Sequence, residues 1–183
     1  MKNFVIDEKG RFSADDVKIM WKNFSGAPDD FNTAGGKRSF TLVMEEAHDE
    51  AAIAQRLIDA GYNVKTRTGV NPETGEPEKW WTLNISVGFN PQTGNGPTTL
   101  LCRPGERPVK LNDVTISLLD KTKLTNVCLD AYPYEWHRGA ESGIKCCCAG
   151  FKADEYCDSR FERMFQMANT EYGSSEADDT EPF

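Results

Sequence analysis

The chain has 183 residues, of which 38% are hydrophobic and 27% charged, and its net charge is -8 at pH 7. This length predicts one domain with a proper core. No apolar run approaches about 18 residues and the first ten residues carry too many charges for a secretory signal, so we expect a soluble intracellular protein. Six cysteines, three of them adjacent at Cys146, Cys147 and Cys148, make a poor disulfide framework and predict reduced thiols.

The negative charge is concentrated near the C-terminus. Nine of the 29 acidic residues lie from Asp154 onward, where only Arg160 and Arg163 oppose them, which leaves 20 acids and 19 bases in residues 1–153. A uniform charge of -8 would argue against nucleic-acid binding, because that binding relies on Lys and Arg to release counterions. The uneven distribution permits a basic face on a nearly neutral body.

The first half of the chain predicts strands with one helix between them. Residues 1–16 are charged and weakly patterned, and we interpret them as a mobile N-terminal arm or an edge segment. Alternating apolar residues predict strands from Val17 and from Lys37, separated by a Gly- and Pro-rich loop. Helical periodicity predicts a helix over 46–61, ending at Gly61.

The second half continues with short strands. A brief strand over 62–67 precedes a hairpin-like excursion over 71–77, and the clearest strand follows, with a buried face formed by Trp81, Leu83, Ile85, Val87 and Phe89. Further predicted elements are a strand over 98–102, a helical turn within 111–119, a strand over 125–136 with Val127, Leu129 and Ala131 buried, and a strand over 144–151. Apolar spacing predicts a C-terminal helix over 154–170.

These elements predict a mainly β fold. The expected architecture is a compact, partly open β-barrel, of which an OB-fold is one solution, with one inserted helix after the second strand. The predicted organisation is an arm over 1–16, an OB-fold domain over 17–153, a C-terminal helix over 154–170 and a disordered acidic tail over 171–183.

Catalytic motifs are weak. His48 and His137 lie in no spacing that activates a nucleophile, and the Gly35–Ser39 segment lacks the spacing of a phosphate-binding loop, so we expect neither an enzyme nor a cofactor. Zinc is a weaker alternative to structural thiols, because the sequence has no CxxC pair and adjacent strand residues point to opposite sides. Its candidate ligands are Cys128, His137, Cys146, Cys148 and Cys157.

Aromatic rings beside cations form a more informative set. Rings on a groove stack the bases of single strands without strong sequence preference, while neighbouring cations bind the backbone. Some rings fill the core instead, and we expect this of Phe40, Trp81 and Phe89. Trp80 lies opposite the apolar stripe and is expected to face outward. Tyr132 belongs to the same aromatic set. The residues predicted to contact DNA are Trp21, Lys22, Phe24, Phe31, Lys37, Arg38, Trp80, Arg103, Tyr134, Trp136 and Arg138.

The last six residues, 178–183, look like a docking peptide. Three acidic side chains surround one ring, and the segment cannot bury enough apolar surface to order itself. A hydrophobic pocket rimmed by Lys or Arg could accept Phe183 and pair with the acids. The alternative is that the tail only maintains solubility. The predicted partner-binding residues are Asp178, Asp179, Glu181, Pro182 and Phe183.

Several stretches resemble a family of bacteriophage single-stranded DNA-binding proteins. They are Trp21–Gly26 through Phe31-Asn32, Gly36–Phe40, Ala60–Lys65, Tyr134–Trp136 and Ser142–Lys145. The resemblance implies an OB-fold core, sequence-independent binding of single-stranded DNA, and a role in phage replication or recombination in the cytoplasm of the infected host.

The tail separately resembles the acidic, Pro-Phe-ending C-terminus of bacterial single-stranded DNA-binding proteins, which recruits replication and repair enzymes. It departs from that pattern mainly at Thr180 and Glu181. Two other hypotheses remain from the sequence: an acidic interaction module or DNA mimic acting on a host nucleic-acid enzyme, and a zinc-dependent enzyme or sensor.

Overall fold

The structure is a computed structural model that describes residues 1–30, 32–70 and 74–157. These residues form ten strands and two short α-helices. The strands are β1 Lys2–Ile6, β2 Phe12–Asp15, β3 Lys18–Asn23, β4 Ser39–Glu45, β5 Lys65–Val70, β6 Pro77–Ser86, β7 Thr98–Cys102, β8 Val109–Leu111, β9 Leu124–Arg138 and β10 Glu141–Glu155. The helices are α1 Ala51–Asp59 and α2 Leu118–Lys121, preceded by the 3₁₀ turns Glu46–His48 and Thr115–Ser117. No helix in these ranges is long and apolar enough to span a membrane.

The strands form one open sheet in the order β1-β2-β9-β10-β6-β4-β3, with β5 on β6, and with β7 joining β10 and β8. Strands β3, β4 and β6 are an antiparallel series, with α1 and β5 inserted between β4 and β6. The β9–β10 hairpin joins this series where Cys146 and Cys147 pair in parallel with Ile85 and Ser86 of β6. The predicted mainly β, OB-like fold with one helix inserted after the second strand of this series is confirmed.

The core lies on one side of this sheet. The rings of Phe24, Phe40 and Phe151 pack together with centroids 5.3 to 5.4 Å apart. The predicted buried faces are confirmed in β6 and β9, where alternate apolar residues are buried while most of those between them are more exposed. These buried residues are Trp81, Leu83, Ile85, Val127, Leu129 and Ala131. Beyond the end of β6, Val87 is also buried, whereas Phe89 is only partly buried against the core.

The first sixteen residues are not a mobile arm. Strands β1 and β2 form a hairpin, and β2 pairs with β9. Phe12 is 1% exposed and meets Tyr62 edge to face, with centroids 5.7 Å apart. The alternative interpretation, an edge segment, therefore agrees with the structure. Few apolar residues anchor this segment, and the many charges around them gave it no clear pattern in the sequence.

Three predicted boundaries also differ. Asp49, with φ 57°, interrupts the predicted 46–61 helix, so that only Ala51–Asp59 is α-helical. The predicted strand over 62–67 begins at Lys65 and runs to Val70. β10 runs to Glu155, so the predicted C-terminal helix does not begin at Asp154, and the rest of that prediction, over 158–170, lies outside the described residues.

Candidate nucleic-acid interface

One face of the sheet combines aromatic and basic side chains. Residues paired across neighbouring strands share a face, and alternate residues of one strand share it too. Phe40, Ile85 and Cys146 occupy one row and are buried, so they face the core. The adjacent rows lie on the opposite side of the sheet, which we call the outer face. It carries Ser39, Thr41, Val43, Glu45, Lys65, Arg67, Gly69, Glu78, Trp80, Thr82, Asn84, Ser86, Tyr132, Tyr134, Trp136, Arg138, Glu141, Gly143, Lys145 and Cys147. Thr41, Val43 and Thr82 are buried, and the remaining residues are at least partly exposed.

The aromatic part of the outer face is the β9–β10 arm, which we define as residues 132–145. Its two strands pair only with each other in the described structure. Tyr132 and Tyr134 are 41% and 55% exposed, and Trp136 is half-buried on the same face. Side chains two residues apart on a strand stand about 7 Å from one another. The arm therefore presents three rings in a row at regular spacing.

Cations lie beside these rings. Lys145 is exposed, pairs across the strands with Tyr134, and forms no ion pair within the described residues. Lys65 and Arg67 are exposed on β5, which pairs along the same edge of β6 that β10 joins further on. Acids lie on this side too: Glu45 is bound by Lys18 and by His48, Glu78 is opposite Gly69, and Glu141 is opposite Arg138. Lys65, Arg67 and Lys145 can attract a polyanion locally despite the negative net charge.

The structure brings four of the predicted DNA contacts onto the outer face: Trp80, Tyr134, Trp136 and Arg138. Trp21 is 60% exposed at a bulge of β3, with φ 48°. Such bulges re-aim side chains, so Trp21 no longer shares the face of Ile19. In the β3–β4 loop, Lys37 is exposed, and the guanidinium of Arg38 lies 5.1 Å from the centroid of the Phe89 ring. Phe31 lies outside the described residues.

Three residues predicted to contact DNA lie in the core or are held by other groups of the protein. Phe24 is fully buried against Phe40, so its ring has no face for a base. The Lys22 ammonium donates to the carbonyls of Leu119 and Thr122, at 2.8 and 2.6 Å, and burial lowers its pKa. The burial of Phe24 contradicts the prediction that its ring contacts DNA. For Lys22 the contact stays a prediction, which these two hydrogen bonds disfavour.

Arg103 is the third of these predicted DNA contacts. Its Nε donates to Glu155 over 2.8 Å, at the far end of β10 from the arm. Ten residues of strand separate Glu155 from Lys145, a distance of about 33 Å. A paired guanidinium this far from the aromatic row is not part of the outer face. The contact of Arg103 with DNA stays a prediction.

The zinc candidates do not converge. His137 lies at the tip of the arm and Cys128 nine residues away on β9, about 30 Å along the strand. Cys146 and Cys148 point into the core, and burial raises the pKa of both thiols, that of Cys148 to about 12. A zinc ligand must be a thiolate, which this burial disfavours. Within the described ranges no group of three or more His, Cys, Asp and Glu side chains is placed to hold a metal.

Sequence reasoning missed several outer-face residues. Lys65, Arg67, Asn84 and Lys145 join the surface only through strand pairing that the sequence does not reveal. Tyr132 had a local signal, because it continues the period-two row of Tyr134 and Trp136 and already belonged to the aromatic set.

An open OB-like sheet with an aromatic, cationic outer face is typical of proteins that bind single-stranded nucleic acid. The sequence model of the family described as "Putative phage ssDNA-binding domain" matches residues 5–152. The chain therefore belongs to this family of phage single-stranded DNA-binding domains. No curated protein sequence matches the chain.

Solved structures show the same fold. The single-stranded DNA-binding protein from bacteriophage Enc34 is 12% identical, with a TM-score of 0.50 over 97% of this chain and 92% of that one. A C-terminal truncation of that protein is 13% identical, with a TM-score of 0.51 over 86% of this chain and 92% of that one. At these identities the similarity supports the fold alone.

Proposed function

We propose that the protein binds single-stranded DNA without sequence preference, using the outer face, and that it does so without catalysis during phage replication or recombination. The observation that carries this proposal is the row of Tyr132, Tyr134 and Trp136 beside the unpaired Lys145. Each ring offers a π face to a base of any identity, and Lys145 offers a charge to the phosphates.

This arrangement selects single strands for a physical reason. A base in a duplex is already stacked and paired, so it cannot place its face on a protein ring without being extruded. The spacing of about 7 Å between alternate strand residues is twice the 3.4 Å rise of one duplex strand, so a strand that lays successive bases on the three rings must be extended. Membership of the phage family supports the same ligand.

Titration of the full chain with a thirty-nucleotide dT strand tests the proposal. We expect quenching of tryptophan fluorescence, retardation of the strand, and an affinity that falls as salt rises. A duplex of equal length should compete poorly. The absence of both quenching and retardation at low salt would refute DNA binding and favour the acidic interaction module, which predicts no response to DNA.

The proposal includes a partner-docking role for the tail, which lies outside the described residues. Its support is the sequence alone: Asp178, Asp179 and Glu181 precede Pro182 and Phe183. A labelled peptide of residues 172–183 should bind replication or recombination proteins of the phage or host, and Phe183→Ala should abolish that binding. Equal binding of the two peptides would indicate charge attraction without docking.

A further inference from the structure

The two tryptophans of the outer face each lie against a glycine of the neighbouring strand. A Cβ built on Gly143 would stand 3.1 Å from Cε2, Cζ2 and Nε1 of Trp136. A Cβ on Gly69 would stand 2.8 Å from Cη2 and 3.0 Å from Cζ3 of Trp80. Each indole therefore occupies the space that a side chain at the glycine would fill.

Strand register explains these contacts. Gly143 is directly opposite Trp136, and Gly69 is opposite Glu78, diagonal to Trp80. Aromatic side chains reach both direct and diagonal neighbours on a paired strand. Both indoles therefore lean across the sheet surface toward the adjoining strand.

The backbone does not require glycine at either position. Neither Gly69 nor Gly143 has a φ in the left-handed region, unlike Gly139 at the tip of the arm. Any residue could adopt these strand conformations, and glycine inside a strand weakens it and marks close approach of another group. The feature that requires glycine here is the ring above it.

We propose that Gly69 and Gly143 are positioning residues for single-stranded DNA. Each lets an indole lie against the sheet, with one π face covered by the glycine backbone and the other turned to the ligand. Trp80 and Trp136 are half-buried, in agreement with one covered face. A ring held in this way loses little rotamer freedom when a base stacks on it, so more of the stacking energy appears as affinity. This inference rests on the proposed function, because it assigns a role within the same surface.

The test compares Gly69→Ala and Gly143→Ala with Gly88→Ala in the full chain. Gly88 is the matched control because its φ is also outside the left-handed region and no atom lies within 4 Å of a Cβ built there. Affinity for a labelled thirty-nucleotide dT strand is measured by anisotropy, with circular dichroism to confirm folding. We expect each positioning variant to bind at least about fivefold more weakly, which corresponds to about 1 kcal/mol of stacking on one base. Gly88→Ala should remain within about twofold of the original protein.

A double-mutant cycle separates positioning from a general structural effect. If Gly143 acts through Trp136, adding Gly143→Ala to Trp136→Ala should cause no further loss of affinity. A full additional loss would overturn the inference for Gly143 even if the single variant binds weakly. The same cycle applies to Gly69 and Trp80.

The outcomes distinguish this inference from the proposed function. If the original protein does not bind the strand, the proposed function fails and the inference fails with it. If the original protein binds and both positioning variants match Gly88→Ala, the outer face still binds DNA and only the role of the glycines is refuted.

Discussion

Truncation of Tyr134 is the most direct test of the aromatic row. The ring is 55% exposed and lies on the β9–β10 arm, beyond the pairing of any other strand in the described residues. Tyr134→Ala should therefore change the free energy of unfolding by less than about 0.5 kcal/mol, as is usual for surface substitutions. Loss of one stacked base costs about 1 to 3 kcal/mol, so we expect affinity for single-stranded DNA to fall about 5- to 150-fold.

Tyr156 provides a matched control for this measurement. It is 48% exposed, and the Lys123 ammonium lies 3.8 Å from its ring centroid, so it also combines a ring with a cation. It follows the end of β10 that is remote from the arm. Anisotropy of a labelled dT strand at low salt should show a large loss for Tyr134→Ala, almost none for Tyr134→Phe, and none for Tyr156→Ala. Equal losses for the two alanine variants would refute the assignment of the arm as the binding surface.

Three further predictions concern charge. Lys145→Gln should reduce the slope of log affinity against log salt by about 0.7, the value for one phosphate contact on a single strand. Arg103→Gln should leave this slope unchanged, because Glu155 already pairs with that guanidinium. Equal slopes for the two variants would contradict the proposed surface. Deletion of residues 172–183 should strengthen DNA binding at low salt, because the acidic tail competes for cationic sites, and weaker binding would show that it does not compete. Burial raises the pKa of Cys148 to about 12 from an ordinary value of 9.0. Between these two values the unfolded chain loses the thiol proton and the folded chain keeps it. The contribution of this thiol to the free energy of unfolding should therefore be complete below about pH 9 and fall as pH rises toward 12, by up to about 1.4 kcal/mol per pH unit. Urea denaturation across this pH range should show a smaller loss of unfolding free energy for Cys148→Ala than for the original protein. The same pH dependence in both proteins would contradict its assignment to Cys148.

Local periodicity was sufficient to predict the main strands and their buried faces. Alternation in β6 and β9 reflects a sheet with one side on the core. This pattern can be recognised from consecutive residues alone. The same alternation predicted that Cys146 and Cys148 face one way and Cys147 the other, as the structure shows. The hairpin at residues 2–15 escaped prediction because its apolar anchors are few and its partner strand lies more than a hundred residues away.

The segment from Trp21 to Phe24 shows why site residues were harder to predict. The sequence places these rings and Lys22 together, but a bulge between Met20 and Asn23 interrupts the alternation. As a result Trp21 turns to solvent, Lys22 reaches the carbonyls at the end of α2, and Phe24 enters the core. A single extra residue in one strand decides which side chains remain available to a ligand, and neither composition nor local spacing reveals it.

The β9–β10 arm combines two requirements that usually conflict. A two-stranded ribbon is marginally stable alone in water, yet a binding surface gains affinity when it is fixed before the ligand arrives. Packing on the side of the arm away from the aromatic row holds the arm in place. A Cβ on Gly61 would lie 2.8 Å from Cδ1 of Ile144, and a Cβ on Gly10 would lie 3.4 Å from Cγ of Pro133, so the arm rests closely on the end of α1 and on the β1–β2 turn. Because these contacts lie opposite the rings, the fold fixes the direction of the arm without covering the aromatic row.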